Sequence, residues 1–211
     1  MHGEETKGQY REAREKAAGE LASKDPTWMA SRAGVTYSFA ERRFEVPFLG
    51  EALTVYYPSG EVERAEGEAA GPEESLIVLH YLLTADGGEV GERWVAYRDL
   101  PGARYHEPAF HADVEGPLSR ALEGRLEGLR AWAERNARRL DLPGDVAAAW
   151  DVLPRVPLLL IFNERDEEFP ASAKVLFEAS APGYLPTEDL SVLAELAAAR
   201  LIKDLGGARP G

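Results

Sequence analysis

The sequence predicts an α+β fold, with an antiparallel or mixed sheet packed against a buried central helix and amphipathic helices outside it. Three observations carry this reading. Apolar residues alternate through three short segments between Thr36 and Pro58 with no helix between them, as in a meander of antiparallel strands. Leu76 to Leu83 is apolar nearly all round, as a helix inside the core is. Strands first cluster and only later mix with helices, whereas a doubly wound parallel sheet needs regular alternation.

In chain order, residues 7–22 read as a charged helix with two anchors, Tyr10 and Leu21, and such a helix needs a partner surface. Asp25-Pro26 caps and opens a second, short helix carrying Trp28 and Met29. Strands follow on Tyr37/Phe39, Phe44/Val46/Phe48 and Leu53/Val55/Tyr57, with turns at Gly50 and Pro58-Ser59-Gly60. Glu61 to Ser75 holds six acids and one Arg and reads as a solvated strand edge or loop. Pro72, with Glu73 and Glu74 behind it, starts the central helix, and Gly87-Gly88 ends it. Val90 to Tyr97 reads as a strand. Pro117 opens a long amphipathic helix with Leu118, Leu122, Leu126, Leu129 and Ala133 on one face and six Arg against three Glu between 118 and 139. Val146–Trp150 and Val156–Phe162 are strands, the second apolar enough to be buried on both faces, and Val175–Phe177 is a short further strand. Thr187 reads as the N-cap of a last helix whose stripe is Leu190, Leu193, Leu196/Ala197 and Leu201, ended by Gly206-Gly207. The expected organisation is a helical extension over 1–22, one α+β domain over 23–205 and a flexible tail over 206–211.

Composition narrows the function classes. The 211 residues carry 24 Lys+Arg against 37 Asp+Glu, a net charge of −13, and no cysteine. Cys-ligated zinc, iron–sulfur ligation by this chain and thiol nucleophiles are thereby excluded. An acidic chain is a poor partner for nucleic acid, whose binding rests on Lys and Arg releasing counterions. The apolar runs are too short to span a bilayer, and the charged N-terminus has no signal-peptide core, so a cytoplasmic protein without a membrane partner is expected. Asn (2), Gln (1) and Met (2) are scarce while Ala (32) and Arg (19) abound, which fits either a hot habitat or a GC-rich genome.

No G-x-S-x-G elbow, Walker A loop or G-x-G-x-x-G follows a strand. His106-Glu107-Pro108-Ala109-Phe110-His111 is one residue too long for H-E-x-x-H, and five helical steps would turn its imidazoles about 140° apart. Three weaker candidates remain. Asp166, Glu167 and Glu168, just past a buried strand, are hard oxygen ligands of the type Mg²⁺ or Ca²⁺ takes, or else a solvated turn capped by Asp166 and anchored by Phe169. His80, with Tyr81, sits in the apolar helix, either as the axial ligand of a tetrapyrrole metal or a general base, or as a neutral core histidine among apolar neighbours. Tyr184, in a stiff Pro/Gly loop, either contributes to such a pocket or pins the loop.

Residues 76–87 (LIVLHYLLTADG), with RWVAYRDLPG, YHEPAF and the long stretch 153–193 (LPRVPLLLIFNERDEEFPASAKVLFEASAPGYLPTEDLSVL), resemble the DUF3786 family of bacteria and archaea over roughly residues 20–202. The resemblance implies no catalytic residues. It does imply company, because some members join this domain to a four-cysteine iron–sulfur domain of the type found in corrinoid iron–sulfur proteins. The leading expectation is therefore a ligand- or cofactor-binding accessory protein of anaerobic metabolism, related to tetrapyrroles or corrinoids and served by an iron–sulfur partner protein. His80, Tyr81 and Tyr184 are its candidate contacts. The alternatives are a metal-assisted hydrolase or transferase using Asp166, Glu167 or Glu168 with His80, and a protein-interaction module without a small ligand.

Overall fold

The computed structural model describes residues 2–206, with side chains from Arg11 onward except that of Glu66. The side chain of Tyr10 and the tail beyond Gly206 lie outside what is described. The fold is α+β, with two antiparallel sheets in place of one antiparallel or mixed sheet.

Helix α1 (His2–Ser23) is polar over most of its length, and its last turns bury Ala17 and Leu21. Its partner surface is the central helix and the turn at residues 57–61 that carries Gly60. Gly60 (φ +70°) lies so close to α1 that a Cβ there would stand 2.7 Å from that of Ala18. Helix α2 (Pro26–Ala33) starts where the Asp25 carboxylate accepts Trp28 N–H at 2.9 Å and ends at Gly34, whose φ of +67° allows its N–H to close on Ala30 O.

The first sheet has the order β1 (Thr36–Ser38), β2 (Arg43–Phe48), β3 (Glu51–Tyr56), β4 (Val62–Glu63). Phe44, Val46 and Phe48 alternate inward as read, and Phe44 stands opposite Val55 and Val46 opposite Leu53. The two-residue turn Leu49-Gly50 has positive φ at both positions, as a tight hairpin of this twist requires, and Leu49 N–H donates to Val152 O of the second sheet.

Helix α3 (Pro72–Thr84) is the central helix, three residues shorter than the Gly87-Gly88 signal suggested. Its N-terminus is tied by the Glu74 carboxylate, which accepts Gly71 N–H at 2.9 Å. From Ser75 to Leu83 every residue is buried except His80, because α1, α2 and the C-terminal helix all pack on it. Strand β5 is only Trp94–Ala96, shorter than expected because a 3₁₀ turn takes over at Tyr97.

The helix expected from Pro117 is broken. A short α4 (Glu107–Phe110) runs through a π-turn (His111–Glu115) into α5 (Gly116–Leu122), and Gly124 at φ +73° separates that from α6 (Leu126–Asn136). Leu118, Leu122, Leu129 and Ala133 still face the core, so the apolar stripe survives the break.

The second sheet has the order β5, β9, β8, β7, β6, from β6 (Arg138–Arg139), β7 (Val146–Leu153), β8 (Val156–Asn163) and β9 (Ser172–Glu178). Leu158, Leu160 and Phe162 point to the main core while Leu159 joins Ala147 and Ala149 in a small cluster on the opposite face, so β8 is buried on both sides as its composition requires. Helix α7 (Thr187–Asp204) buries Leu190, Leu193, Ala197 and Leu201. Thr187 is its first residue and not its side-chain cap; the hydroxyl donates to Pro101 O at 2.8 Å, which fastens α7 to the loop after β5.

Candidate functional site

His80 is the one residue of the middle of α3 that reaches the surface, with 28% of its side chain exposed. Its partner is Asp189 in the acidic first turn of α7, with Nδ1 2.6 Å from Oδ2 and the carboxylate 14% exposed. In a neutral ring the carboxylate selects the Nδ1–H tautomer, which leaves the Nε2 lone pair for an incoming donor or metal. The ring's partner comes from elsewhere in the fold: α3 meets the polar start of α7 here, and a carboxylate 109 positions away in sequence holds the ring. A His with a carboxylate behind it is how metal-ligating imidazoles are oriented and made more basic.

Tyr81, next on the helix and turned about 100° away, does a different job. Fully buried, its hydroxyl donates to Ala33 O at 2.5 Å and accepts Arg155 N–H at 3.1 Å, so it ties the end of α2 to the β7–β8 turn. Burial pushes its phenol well above the ordinary tyrosine range. Tyr184 is equally buried. Its hydroxyl donates to Gly88 O and its carbonyl accepts Thr84 Oγ1 at 2.5 Å, so it pins its loop to the end of α3. Burial raises this phenol too, with the Arg155 charge pulling the other way. The two tyrosine rings are neighbours, 6.2 Å between centroids, but both hydroxyls are spent on backbone carbonyls. Of the three expected cofactor contacts, the structure pairs the tyrosines inside and leaves His80 at the surface with Asp189.

The acidic turn is self-contained. Asp166 Oδ1 accepts Glu168 N–H at 2.8 Å and Phe169 N–H at 2.7 Å, and these bonds, Phe169's first, hold its carboxyl below the usual carboxylate range. Glu167 and Glu168 point to solvent, and Phe169 is 66% exposed and so does not anchor the loop. Among the described residues no three His, Asp or Glu side chains converge in a way that would hold a metal ion. His106 is exposed, while His111 Nδ1 lies 2.9 Å from Glu115 Oε2 across the π-turn. Glu115, buried, also meets Lys174 Nζ at 3.1 Å and accepts Val175 N–H at 3.3 Å, so this group fastens the π-turn to β9.

A cleft of about 670 Å³ between α7 and the start of α3 is lined by Glu68, Glu73, Glu74, Asp113 and Glu195 against Arg64. Partial desolvation and then the charge of Asp113 hold the Glu195 carboxyl above its ordinary range. His80 borders neither this cleft nor the one beside Arg155 described below.

The sequence profile of the family described as "Domain of unknown function (DUF3786)" matches residues 25–200. The chain belongs to the DUF3786 family. His80, Tyr81, Arg155, Asp166, Tyr184 and Asp189 all fall within the matched DUF3786 segment. No match to the chain was found among curated proteins or among solved structures. No described helix of this DUF3786 protein is long and apolar enough to cross a membrane. Asp189 and Arg155 are the two residues that sequence reasoning missed. Asp189 carried only the signal of an acid in a helix first turn, and Arg155 only that of a polar residue between two strands.

Proposed function

We propose that this protein is a cytoplasmic ligand-binding accessory protein of anaerobic metabolism, in which Nε2 of His80 coordinates a metal-centred ligand of the tetrapyrrole or corrinoid class. One observation carries the reading: Asp189 holds the Nδ1 side of a partly exposed imidazole at 2.6 Å, so the ring is fixed in orientation and the opposite nitrogen is left for a ligand. The ring borders neither of the two clefts just named, which fits a ligand presented by a partner protein, or one open on its far face, better than an enclosed cofactor. When bound, such a group supplies the metal; the chain supplies the nitrogen donor and the carboxylate behind it. The iron–sulfur domain that family resemblance implies for some relatives supports a redox-active partner. The acidic turn, as the centre of a hydrolase or transferase, has less support, because Asp166 is committed to its own loop.

The test is optical. Cobinamide, a corrinoid without its own nucleotide base, and haemin are titrated with the purified chain, with His80→Gln and with Asp189→Asn. Wild type is expected to shift the visible bands to those of imidazole ligation. His80→Gln abolishes the shift, and Asp189→Asn weakens binding by about 10- to 100-fold. Unchanged spectra with wild type, or identical spectra with His80→Gln, would sink the reading and leave the interaction module without a small ligand in its place.

A further inference from the structure

We infer that Arg155 anchors a second binding site, for a small organic monocarboxylate, in the cleft between the end of α2, the β7–β8 turn and residues 89–90. The inference does not rest on His80.

The first ground is an unmet donor. The Arg155 guanidinium makes no ion pair among the described residues, and its Nε is buried without an acceptor. Its backbone N–H bonds Tyr81, and its side chain lies beside the Tyr184 hydroxyl, a neutral partner and not a carboxylate. Arg43 Nε also lacks a well-aligned bond, yet stands 3.0 Å from the Glu45 carboxylate; Arg155 has no such neighbour. Half-exposed and lining the cleft, the guanidinium can meet an oxyanion there, and its planar fork suits a carboxylate.

The second ground is that the cleft is built. Its volume is about 420 Å³, within the range of small-ligand pockets, and Gly34, Glu89, Val90, Pro154 and Arg155 line it. Gly34 must lack a side chain on two counts: its φ is +67°, and a Cβ would stand 3.0 Å from Arg155 Nε. The walls are held from beneath by the buried tyrosines. Tyr81 fixes the turn that carries Arg155, and Tyr184 bonds Gly88 O, next to Glu89 and Val90. An arginine held this way loses little freedom on binding.

The ligand class follows from the lining. Val90 and Pro154 offer apolar contact to a carbon body. Glu89 brings one negative charge to the cleft, which penalises a dianion more than a monoanion. A monocarboxylate with an apolar body satisfies both, and inorganic phosphate does not.

The experiment follows the arginine side-chain N–H resonances of the full chain by NMR during titration with benzoate, butyrate, inorganic phosphate and, at matched ionic strength, chloride. Saturable shifts of the Arg155 Nε–H with benzoate or butyrate, weaker ones with phosphate and none with chloride are the expected result. Arg155→Gln keeps the backbone bond to Tyr81 and should lose at least about tenfold in affinity, the worth of a charge-assisted hydrogen bond. Glu89→Gln should bind the carboxylates severalfold tighter, and His80→Gln should bind them as wild type does. No saturable response to either carboxylate, or equal affinity in Arg155→Gln, overturns the site; tighter binding of phosphate overturns the ligand class. Should Arg155→Gln fail to fold, the wild-type shifts and the Glu89→Gln comparison decide alone.

Discussion

Replacing Tyr81 by Phe isolates the part of the structure that the buried phenol supports. The ring stays, its area stays buried, and only the hydroxyl that donates to Ala33 O and accepts Arg155 N–H is removed. Each buried group left without a partner costs about 1–3 kcal/mol. Arg155 is half-exposed, so water recovers part of the second loss, and a total of about 2–4 kcal/mol is expected. For a chain of this length each kcal/mol lowers the melting temperature by roughly 2–4 °C, so the midpoint should fall by about 4–16 °C. Reversible thermal melts and urea titrations of both proteins measure it, with an unchanged m value showing that the denatured state is not the cause. A loss under about 0.5 kcal/mol would refute the reasoning, since that is the range of an exposed, uninvolved position. A lost cobinamide shift with undiminished stability would refute it differently and return Tyr81 to the ligand contacts.

Gly60→Ala should destabilise by more than the roughly 1–2 kcal/mol of a left-handed alanine, because the new methyl also meets Ala18 at 2.7 Å; denaturant unfolding checks this, and a neutral result would mean that α1 does not dock where described. Glu195→Gln should gain on wild type as pH rises. The folded-state pKa of Glu195 is raised, so the folded protein holds the proton longer, and stability present below the unfolded value of about 4.3 declines through the window up to the raised value. Melts of the two proteins at pH 4 and pH 7 test this, and a difference that does not grow with pH contradicts it. Scarce Asn, Gln and Met predict a thermal midpoint above the roughly 45–65 °C of mesophile domains, and a value near 50 °C would leave genome composition as the explanation.

What the sequence made legible follows a physical line. Elements specified by their own residues were readable: the Asp25-Pro26 start of α2, the alternation of Phe44, Val46 and Phe48, and the unbroken apolar run of β8. Where one glycine decides between two continuations, periodicity misled. The stripe from Leu118 to Ala133 keeps its phase closely enough to read as one helix, though Gly124 turns the chain between α5 and α6. The site was half legible. An unusual polar residue in an apolar helix marked His80, but its partner Asp189, like the bond between Tyr81 and Arg155, exists only through tertiary packing across 109 and 74 positions. No local pattern encodes such a pair.

That packing also explains how one helix serves two surfaces. Consecutive residues of α3 diverge by about 100°, so His80 turns to the polar start of α7 while Tyr81 turns to the end of α2 and the turn bearing Arg155. Between them the helix is buried on every other side, so neither side chain is free to exchange roles with the other. A rigid, buried helix holds an exposed imidazole at a fixed angle more firmly than a loop would, because its backbone is held by core packing. It also separates the two proposed sites energetically. The side chains of His80 and Asp189 share no hydrogen bond with those of Tyr81, Tyr184 or Arg155, and the one common partner, Thr84 Oγ1, meets only the backbone carbonyls of His80 and Tyr184, which neither His80→Gln nor Arg155→Gln removes, so the side-chain losses should add. The double variant His80→Gln/Arg155→Gln should therefore lose corrinoid ligation and carboxylate binding as the sum of its single losses; strong coupling between them would mean that α3 moves as a unit when either site is filled.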